Sequence, residues 1–341
     1  MAKPTMKDVA RIAGVSLATV SRAIKEPHKV KEETRRHIHE AMESLAYVYN
    51  ASAGDLSRKK STVVGVLLPA AQRNMAFGDT IQAIQDEALK VGYSIMTGDT
   101  GQNNATENDL IQLFEQRNIG GLIMAGYSPS NEKLVRSLAR TGTTCVVVWE
   151  YGHDSEISYV GIDNFAAMRE LTEYMISLGH RRIGMISGMY TKSERPYRRL
   201  LGYRAALENS GLSFDPDIVV EGLPLMAVGK SAMEQIMKRK NPPSAVLASN
   251  DMAAVGALAA ARELGLDVPG DVSLAGFDNI ALAEFTSPPL TSVSIPAYEM
   301  GKRAFELILR SQRGDVVPDK LSESILLEHK IVERESCRRI L

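Results

Sequence analysis

At 341 residues, 44% hydrophobic and 24% charged, the chain has ordinary globular composition and is long enough for two or three domains, each with its own core. Cys145 and Cys337 are too few and too distant for a disulfide framework or a zinc site. There is no apolar signal-peptide region and no run of about 18 apolar residues, so a cytoplasmic protein without membrane contact is expected.

The net charge of −1 hides an asymmetry: residues 1–60 hold twelve Lys/Arg against seven Asp/Glu, a net of +5, and the rest carries −6. A basic head on an acidic body is the electrostatic footprint of a nucleic-acid reader. Within that head, Met6–Ile24 reads as two short helices meeting at Ala13-Gly14-Val15-Ser16. Met6, Val9, Ala10 and Ala13 recur at helical spacing, and Gly14 supplies the permissive backbone that a helix stop needs. Ser16 is placed to cap the second helix, Leu17–Ile24, whose Val20, Ala23 and Ile24 face inward. Leu17, Ala18, Thr19, Ser21 and Arg22 are left outside, as in a helix-turn-helix whose second helix enters a major groove. Two amphipathic helices in an ordinary core would show the same apolar positions, so context must decide. The context is a third helix, Lys31–Leu45, with Thr34, Ile38, Ala41 and Leu45 on one face, which closes a three-helix bundle. Glu26-Pro27-His28-Lys29 is a loop; His28, His37 and His39 lack metal spacing and read as solvated surface.

Asp8-Val-Ala-Arg-Ile-Ala-Gly-Val-Ser-Leu-Ala-Thr-Val-Ser-Arg22 resembles the signature of the lactose/galactose repressor (LacI-type) family of bacterial transcription regulators. The resemblance implies DNA contacts by Thr5, Leu17, Ala18, Thr19, Ser21 and Arg22. Asn50-Ala-Ser-Ala-Gly-Asp-Leu56-Ser57 resembles the family's hinge helix, which implies further contacts by Asn50, Ala53 and Leu56, with Leu56 wedged into the minor groove. Gly54 costs such a short helix about 1 kcal/mol relative to Ala, so it should form mainly on DNA. The chain departs from the family at Tyr49, where Pro is usual, and at Gly54, where a basic or polar residue is usual; Asp55 adds a negative charge near phosphate.

From Val63 onward short apolar runs alternate with helical patterns. Strands are expected at 63–68, 94–96, 121–124 and 145–148, with helices at 80–91, 107–116 and 131–140. The rhythm restarts with strands at 159–162, 183–187, 218–221, 245–248 and 272–276, and helices at 165–178, 197–209, 229–238 and 252–264. Such alternation implies parallel sheets covered on both faces, here in two lobes. The resemblance adds chain crossings between lobes and a likeness to periplasmic sugar-binding proteins. The expected fold is therefore a small all-α helix-turn-helix head (1–49), a hinge helix and linker (50–61), and a two-lobed α/β periplasmic-binding-protein-like core (62–341). The lobes are expected at about 62–160 plus 291–322, and at about 161–290 plus 323–341. A helix at 298–310 and a final strand at 325–333 complete the chain. No leucine heptad follows, so a homodimer on a palindromic operator is expected rather than a tetramer.

In open α/β sheets ligands bind outside the carboxyl ends of strands. The candidate effector contacts are accordingly Gln72, Asn74 and Phe77 after the first strand, Trp149 and Glu150 after the fourth, Arg199, Asn250 and Asp278. Arg195, Arg198 and Asp251 lie in the same loops. Arg199, three residues before Gly202, resembles the family's ligand-binding arginine; Asn250-Asp251 and Asp278-Asn279 resemble two further family motifs. Planar Arg and carboxylates each hold two hydroxyls, which suits a sugar or sugar acid, and Phe77 or Trp149 offers a stacking face. Simpler readings stand beside these: a helix N-cap for Asn250-Asp251, a surface ion pair for Arg199, and a core position for Trp149. Leu178-Gly179-His180 reads as a helix C-terminus, with Gly179 as the cap.

The function expected is a ligand-responsive DNA-binding regulator, a repressor of carbohydrate or sugar-acid genes, without metal or cofactor. A transport receptor would explain two lobes but has no use for a basic head. An enzyme is disfavoured because there is no Gly-rich phosphate loop, no GxSxG and no metal-spaced histidine cluster.

Overall fold

A computed structural model describes residues 4–48, 61–68, 75–100, 104–126, 131–190, 194–314 and 322–340. The chain divides into two compact units, 1–60 and 61–341. In the first, α1 (Met6–Ile12), α2 (Leu17–Lys25) and α3 (Glu32–Ser44) close on a core of Val9, Ala10, Val20, Ala23, Ile38 and Ala41. The elbow follows from local chemistry. Gly14 takes a left-handed φ of 65°, the Val15 N–H donates to the Ala10 carbonyl at 3.0 Å, and Ser16 Oγ accepts from the Thr19 N–H at 3.1 Å. Pro27–Lys29, expected as loop, forms one 3-10 turn. The hinge segment with Asn50, Ala53 and Leu56, and the linker up to Lys60, lie outside the described residues.

The second unit contains two sheets, each of six strands among the described residues. The first has the order β11-β5-β4-β3-β1-β2, built from β1 (Val63–Leu68), β2 (Ser94–Asp99), β3 (Gly121–Met124), β4 (Thr144–Val148), β5 (Ser158–Gly161) and β11 (Ser324–Leu326). The second has the order β12-β10-β9-β8-β6-β7, from β6 (Ile183–Ser187), β7 (Val219–Glu221), β8 (Ala245–Ala248), β9 (Ser273–Asp278), β10 (Thr291–Ser294) and β12 (Lys330–Val332). Every pairing is parallel except β10 with β12. The helices of the first lobe are α4 (Phe77–Lys90), α5 (Asn104–Gln116) and α6 (Glu132–Arg140); those of the second are α7 (Asn164–Ser177), α8 (Glu194–Asn209), α9 (Met226–Met237) and α10 (Asp251–Glu263). Continuous apolar strands such as Val63–Leu68 and Ala245–Ala248 are what a sheet covered on both faces requires, and they supply the core.

Two expected crossings move. Residues 291–294 belong to the second sheet, in parallel register with β9 (Thr291 opposite Ala275), so the chain changes lobe at 295–296 and not at 290. It then runs through α11 (Ala297–Arg313), which packs on α4. The expected final strand 325–333 is two strands: Ser324–Leu326 completes the first sheet beside β5, and Lys330–Val332 pairs antiparallel with β10 in the second. An unbroken apolar-polar run does not reveal that its halves pair with different sheets. Gly179, at φ 102°, ends α7 as expected, and the His180 N–H reaches back to the Met175 carbonyl at 3.3 Å. The His180 ring bonds Ser244 Oγ at 2.9 Å, and burial holds its pKa below the ordinary histidine value. Among the described residues no helix is long and apolar enough to cross a membrane.

Candidate functional site

The head presents the amino-terminal half of α2 outward. Leu17 is 43% exposed, Ala18 and Arg22 are exposed, and Thr19 and Ser21 are half-buried. Thr19 has a second task, since its hydroxyl pairs with Ser16 Oγ at 2.8 Å. Thr5, exposed ahead of α1, donates its hydroxyl to Asp8 Oδ2 at 2.7 Å and its N–H to the same oxygen at 3.0 Å. Those bonds, with Arg11 nearby, hold the Asp8 carboxyl below its ordinary pKa. The start of α1 is thereby fixed while Thr5 stays at the surface. The exposed face is thus made of small and apolar side chains with one cation, Arg22.

In the second unit the site forms at the carboxyl ends of both sheets. From the first lobe, Phe77 opens α4 and Trp149 follows β4. Their rings meet edge to face at 4.7 Å, and each side chain is only 2% exposed. Trp149 adopts φ 75°, a conformation strained for so large a residue, and its indole N–H donates to Thr80 Oγ1 at 3.1 Å. From the second lobe, α8 brings Arg195 over both rings, at 5.7 Å from Phe77 and 5.8 Å from Trp149. One turn on, Arg199 lies buried against the Phe277 face at 3.6 Å. Its Nε donates to Asn164 Oδ1 at 2.8 Å, one terminal nitrogen donates to the Ser249 carbonyl, and the other stands 3.7 Å from Asp278 Oδ1. The simpler reading of Arg199 as a surface pair therefore does not hold.

Charge in this region is shaped by burial. Loss of water pushes Asp278 up to about 6 despite Arg199 and Arg195, and Glu150 up to about 7 despite Arg195. The same desolvation brings Arg199 down to about 10, which leaves it a cation at neutral pH. Asp251 is pushed up to about 8 by burial and by the neighbouring Asp278 charge. Arg195 Nε, Asp278 Oδ1 and Ser187 Oγ are buried polar atoms with no hydrogen-bond partner among the described residues. Such atoms are costly unless something arrives to satisfy them.

The expected contacts thus divide. Phe77, Trp149, Glu150, Arg199 and Asp278 come together, and Gln72 and Asn74 lie outside the described residues. Asn250 takes the capping role, accepting from the Ala253 N–H at 2.8 Å. Asp251 is no cap: its oxygens accept from Ser292 Oγ at 2.7 Å and from the Ile280 N–H at 2.8 Å, which fixes the turn after β9. Arg195, expected in the same run as Arg198 and Arg199, joins the site over both rings, although nothing local singled it out of that run. One member, Asn164, was missed. Asn164 was hidden beside Asp163, which caps α7 through the N–H groups of Phe165 and Ala166; an amide next to a filled cap has no local task, and that was the available signal.

Comparison with known proteins agrees with this architecture. Residues 5–50 match the model of bacterial regulatory proteins of the lacI family, and residues 172–337 match a periplasmic binding protein-like domain. The chain is 34% identical over 338 residues to the HTH-type transcriptional repressor CytR of Escherichia coli (strain K12), covering 98% of this chain and 97% of that one. Among solved structures, the lac repressor dimer bound to operator and the anti-inducer ONPF superposes with a TM-score of 0.84 at 25% identity, covering 99% of this chain and 100% of that one. The transcriptional regulator CelR in complex with cellobiose gives 0.73 at 27% identity, covering 98% and 99%. With a recognition head, a two-sheet core and a relatedness sustained along nearly its whole length, the chain belongs to the lacI family of bacterial regulatory proteins.

Proposed function

We propose that this regulator is a homodimeric repressor whose operator affinity is set by a small polyhydroxylated effector, a sugar or sugar acid, held between Phe77 and Trp149 on one side and Arg199 and Asp278 on the other. The observation that carries the reading is the set of unsatisfied buried atoms on Arg195, Asp278 and Ser187. Together they offer a fixed donor, a fixed acceptor and a hydroxyl at one strand-end region. Hydroxyls both donate and accept, so a polyol satisfies all three, beside an aromatic pair that is covered by Arg195 in this structure. The cellobiose in the CelR complex is a ligand of that kind. Thr5, Leu17, Ala18, Thr19, Ser21 and Arg22, joined by Asn50, Ala53 and Leu56, form the DNA-reading set. Effector control then requires different affinities for two arrangements of the core, one of which favours the operator-bound head.

The test is a thermal-shift screen of the full chain against neutral sugars, sugar acids, sugar phosphates and purines. A true effector at about 100 times its Kd adds about 2.7 kcal/mol, which is a readable shift. A shift with a sugar or sugar acid that disappears in Arg199→Lys supports the reading. A screen in which only purines shift the protein, or in which Arg199→Lys responds like the wild type, overturns the ligand class or the site respectively.

A further inference from the structure

We infer that Asn164 is a positioning residue that ties Arg199, in the second lobe, to Trp149, in the first, so that the state of the arginine is felt across the lobe boundary. The inference deepens the proposed role of Arg199 but concerns a side chain that no ligand need touch.

Asn164 is the first residue of α7, immediately after the chain has left β5 for the second lobe, and it is 4% exposed. Both ends of its amide are used. Oδ1 accepts from Arg199 Nε at 2.8 Å, and Nδ2 donates to the Trp149 carbonyl at 2.9 Å. A planar amide gripped at both ends has no free rotamer, so displacement at one end is passed to the other. The receiving end is the strained backbone of Trp149, at φ 75°, a conformation that persists only while its surroundings hold it.

The connection does not stop there. The Trp149 indole N–H donates to Thr80 Oγ1 at 3.1 Å, and that hydroxyl donates to the Ala297 carbonyl at 3.0 Å. Thr80 lies on α4, and Ala297 begins α11 just past the second crossing. A continuous buried polar path therefore runs from Asp278 and Ser249 through Arg199, Asn164, Trp149 and Thr80 to the start of α11. It touches the chain near both crossings. A group that engages the outer nitrogens of Arg199 competes with Ser249 and Asp278 while Nε stays bound to Asn164. The arginine then moves with the amide attached, and the Trp149 carbonyl follows. Packing alone would couple the lobes diffusely; this path makes one amide the coupling element.

Trp149 is the only tryptophan in the chain, so its fluorescence reads the receiving end directly. The experiment uses the full-length protein without ligand, in four forms: wild type, Arg199→Lys, Asn164→Asp and the double variant. Emission maximum and acrylamide quenching are measured after circular dichroism confirms folding. Arg199→Lys removes the Nε donor while keeping the charge. Asn164→Asp keeps the acceptor for Arg199 but sets an acceptor against the Trp149 carbonyl. The expected result is a red-shifted, more readily quenched Trp149 in each single variant, and no further change when Arg199→Lys is added to Asn164→Asp. If Arg199→Lys perturbs Trp149 equally in both backgrounds, or in neither, the inference is overturned. Asn164→Ser, which shortens the side chain and breaks both bonds, applies the same criterion should Asn164→Asp fail to fold. Because no ligand is present, a silent effector screen would remove the proposed role of Arg199 and leave this coupling standing. Additive fluorescence changes would do the reverse.

Discussion

The two lobes are wound alike and equipped differently. With strands taken in order of entry, the first sheet runs β2-β1-β3-β4-β5 and the second β7-β6-β8-β9-β10, the same sequence of crossovers repeated. Yet the strand ends of the first contribute Phe77, Trp149 and Glu150, and those of the second contribute Arg199, Asp278 and Ser249. One winding rule thus yields an apolar wall and an ionic wall. Sheet topology decides where a site can form, and the residues at the strand ends decide what it can hold. The lobes also differ in how their helices meet. In the second, a Cβ at Gly202 would strike the Phe165 carbonyl of α7, and Cβ atoms at Gly229 and Gly256 would strike the Ala253 and Met226 carbonyls, so α7 with α8 and α9 with α10 sit backbone to backbone. In the first, Gly301 of α11 has that role against Thr80 of α4.

The most damaging change should fall on the ionic wall. Arg199→Met leaves the buried Asp278 with only the Arg195 charge nearby and frees Asn164 and the Ser249 carbonyl. Loss of one partner of such a buried set costs about 3 kcal/mol or more. Chemical denaturation of residues 61–341 should show it as a lowered midpoint at unchanged slope. Next comes helix contact: Gly256→Ala must part α9 and α10, with an overpacking cost of about 1–3 kcal/mol. The added methyl at Gly78, near the start of α4, meets nothing within 4 Å, so Gly78→Ala is the matched control in the first lobe and should not destabilise.

The walls should also separate by pH. Glu150 has an ordinary pKa of 4.5 and a folded value of about 7, because burial disfavours its charge. A carboxyl raised on folding keeps its proton in the folded state where the unfolded chain releases it. Its contribution is full below pH 4.5 and is lost as pH rises through about 7. Glu150→Gln should therefore flatten the fall in Tm over that window. For Asp278 the window runs from 3.8 to about 6, so Asp278→Asn should flatten the curve at lower pH. Melting curves of both variants from pH 4 to 8, read as differences from the wild type, check the order of the two windows.

The head was legible because its determinants are contiguous. Gly14, Ser16 and the apolar positions act on neighbours a few residues away, and the same residues recur in the structure as turn, cap and core. Strand and helix periods in the core were legible for the same reason, within a few residues at each end. What could not be read locally is pairing at long range. Whether 291–294 joins β9, or 324–326 joins β5, depends on partners 16 or more residues away. The site mixes both cases: Arg199 and Asp278 carried motifs, whereas Asn164 gains meaning only from Arg199 and Trp149, and Arg195 only from Phe77 and Trp149. Asn250 and Asp251 illustrate the limit most plainly. Either could cap α10, and Ser292, which engages Asp251 from 41 residues away, decides between them.

The smallest effect expected concerns surface charge, and it sharpens the difference in helix packing. α6 carries no glycine, and a network binds it to the loop before β5. Arg136 holds both Asp154 oxygens, at 3.1 and 2.7 Å, together with Glu132 at 3.0 Å and Glu156 at 3.3 Å. Between α9 and α10, already locked by Gly229 and Gly256, there is among the described residues the single pair Lys230–Glu263 at 2.7 Å. An exposed lone pair is worth little, because two flexible chains must be ordered and salt screens them. A bidentate network on a 27% exposed arginine retains more. Arg136→Met should lower stability by at most about 1 kcal/mol, and added salt should shrink the loss. Lys230→Met should change nothing measurable. Amide hydrogen exchange would localise the first effect to α6 and the 154–157 loop. Equal protection losses in α6 and α9 would mean that backbone contact at Gly229 and Gly256 does not secure α9 as the geometry indicates.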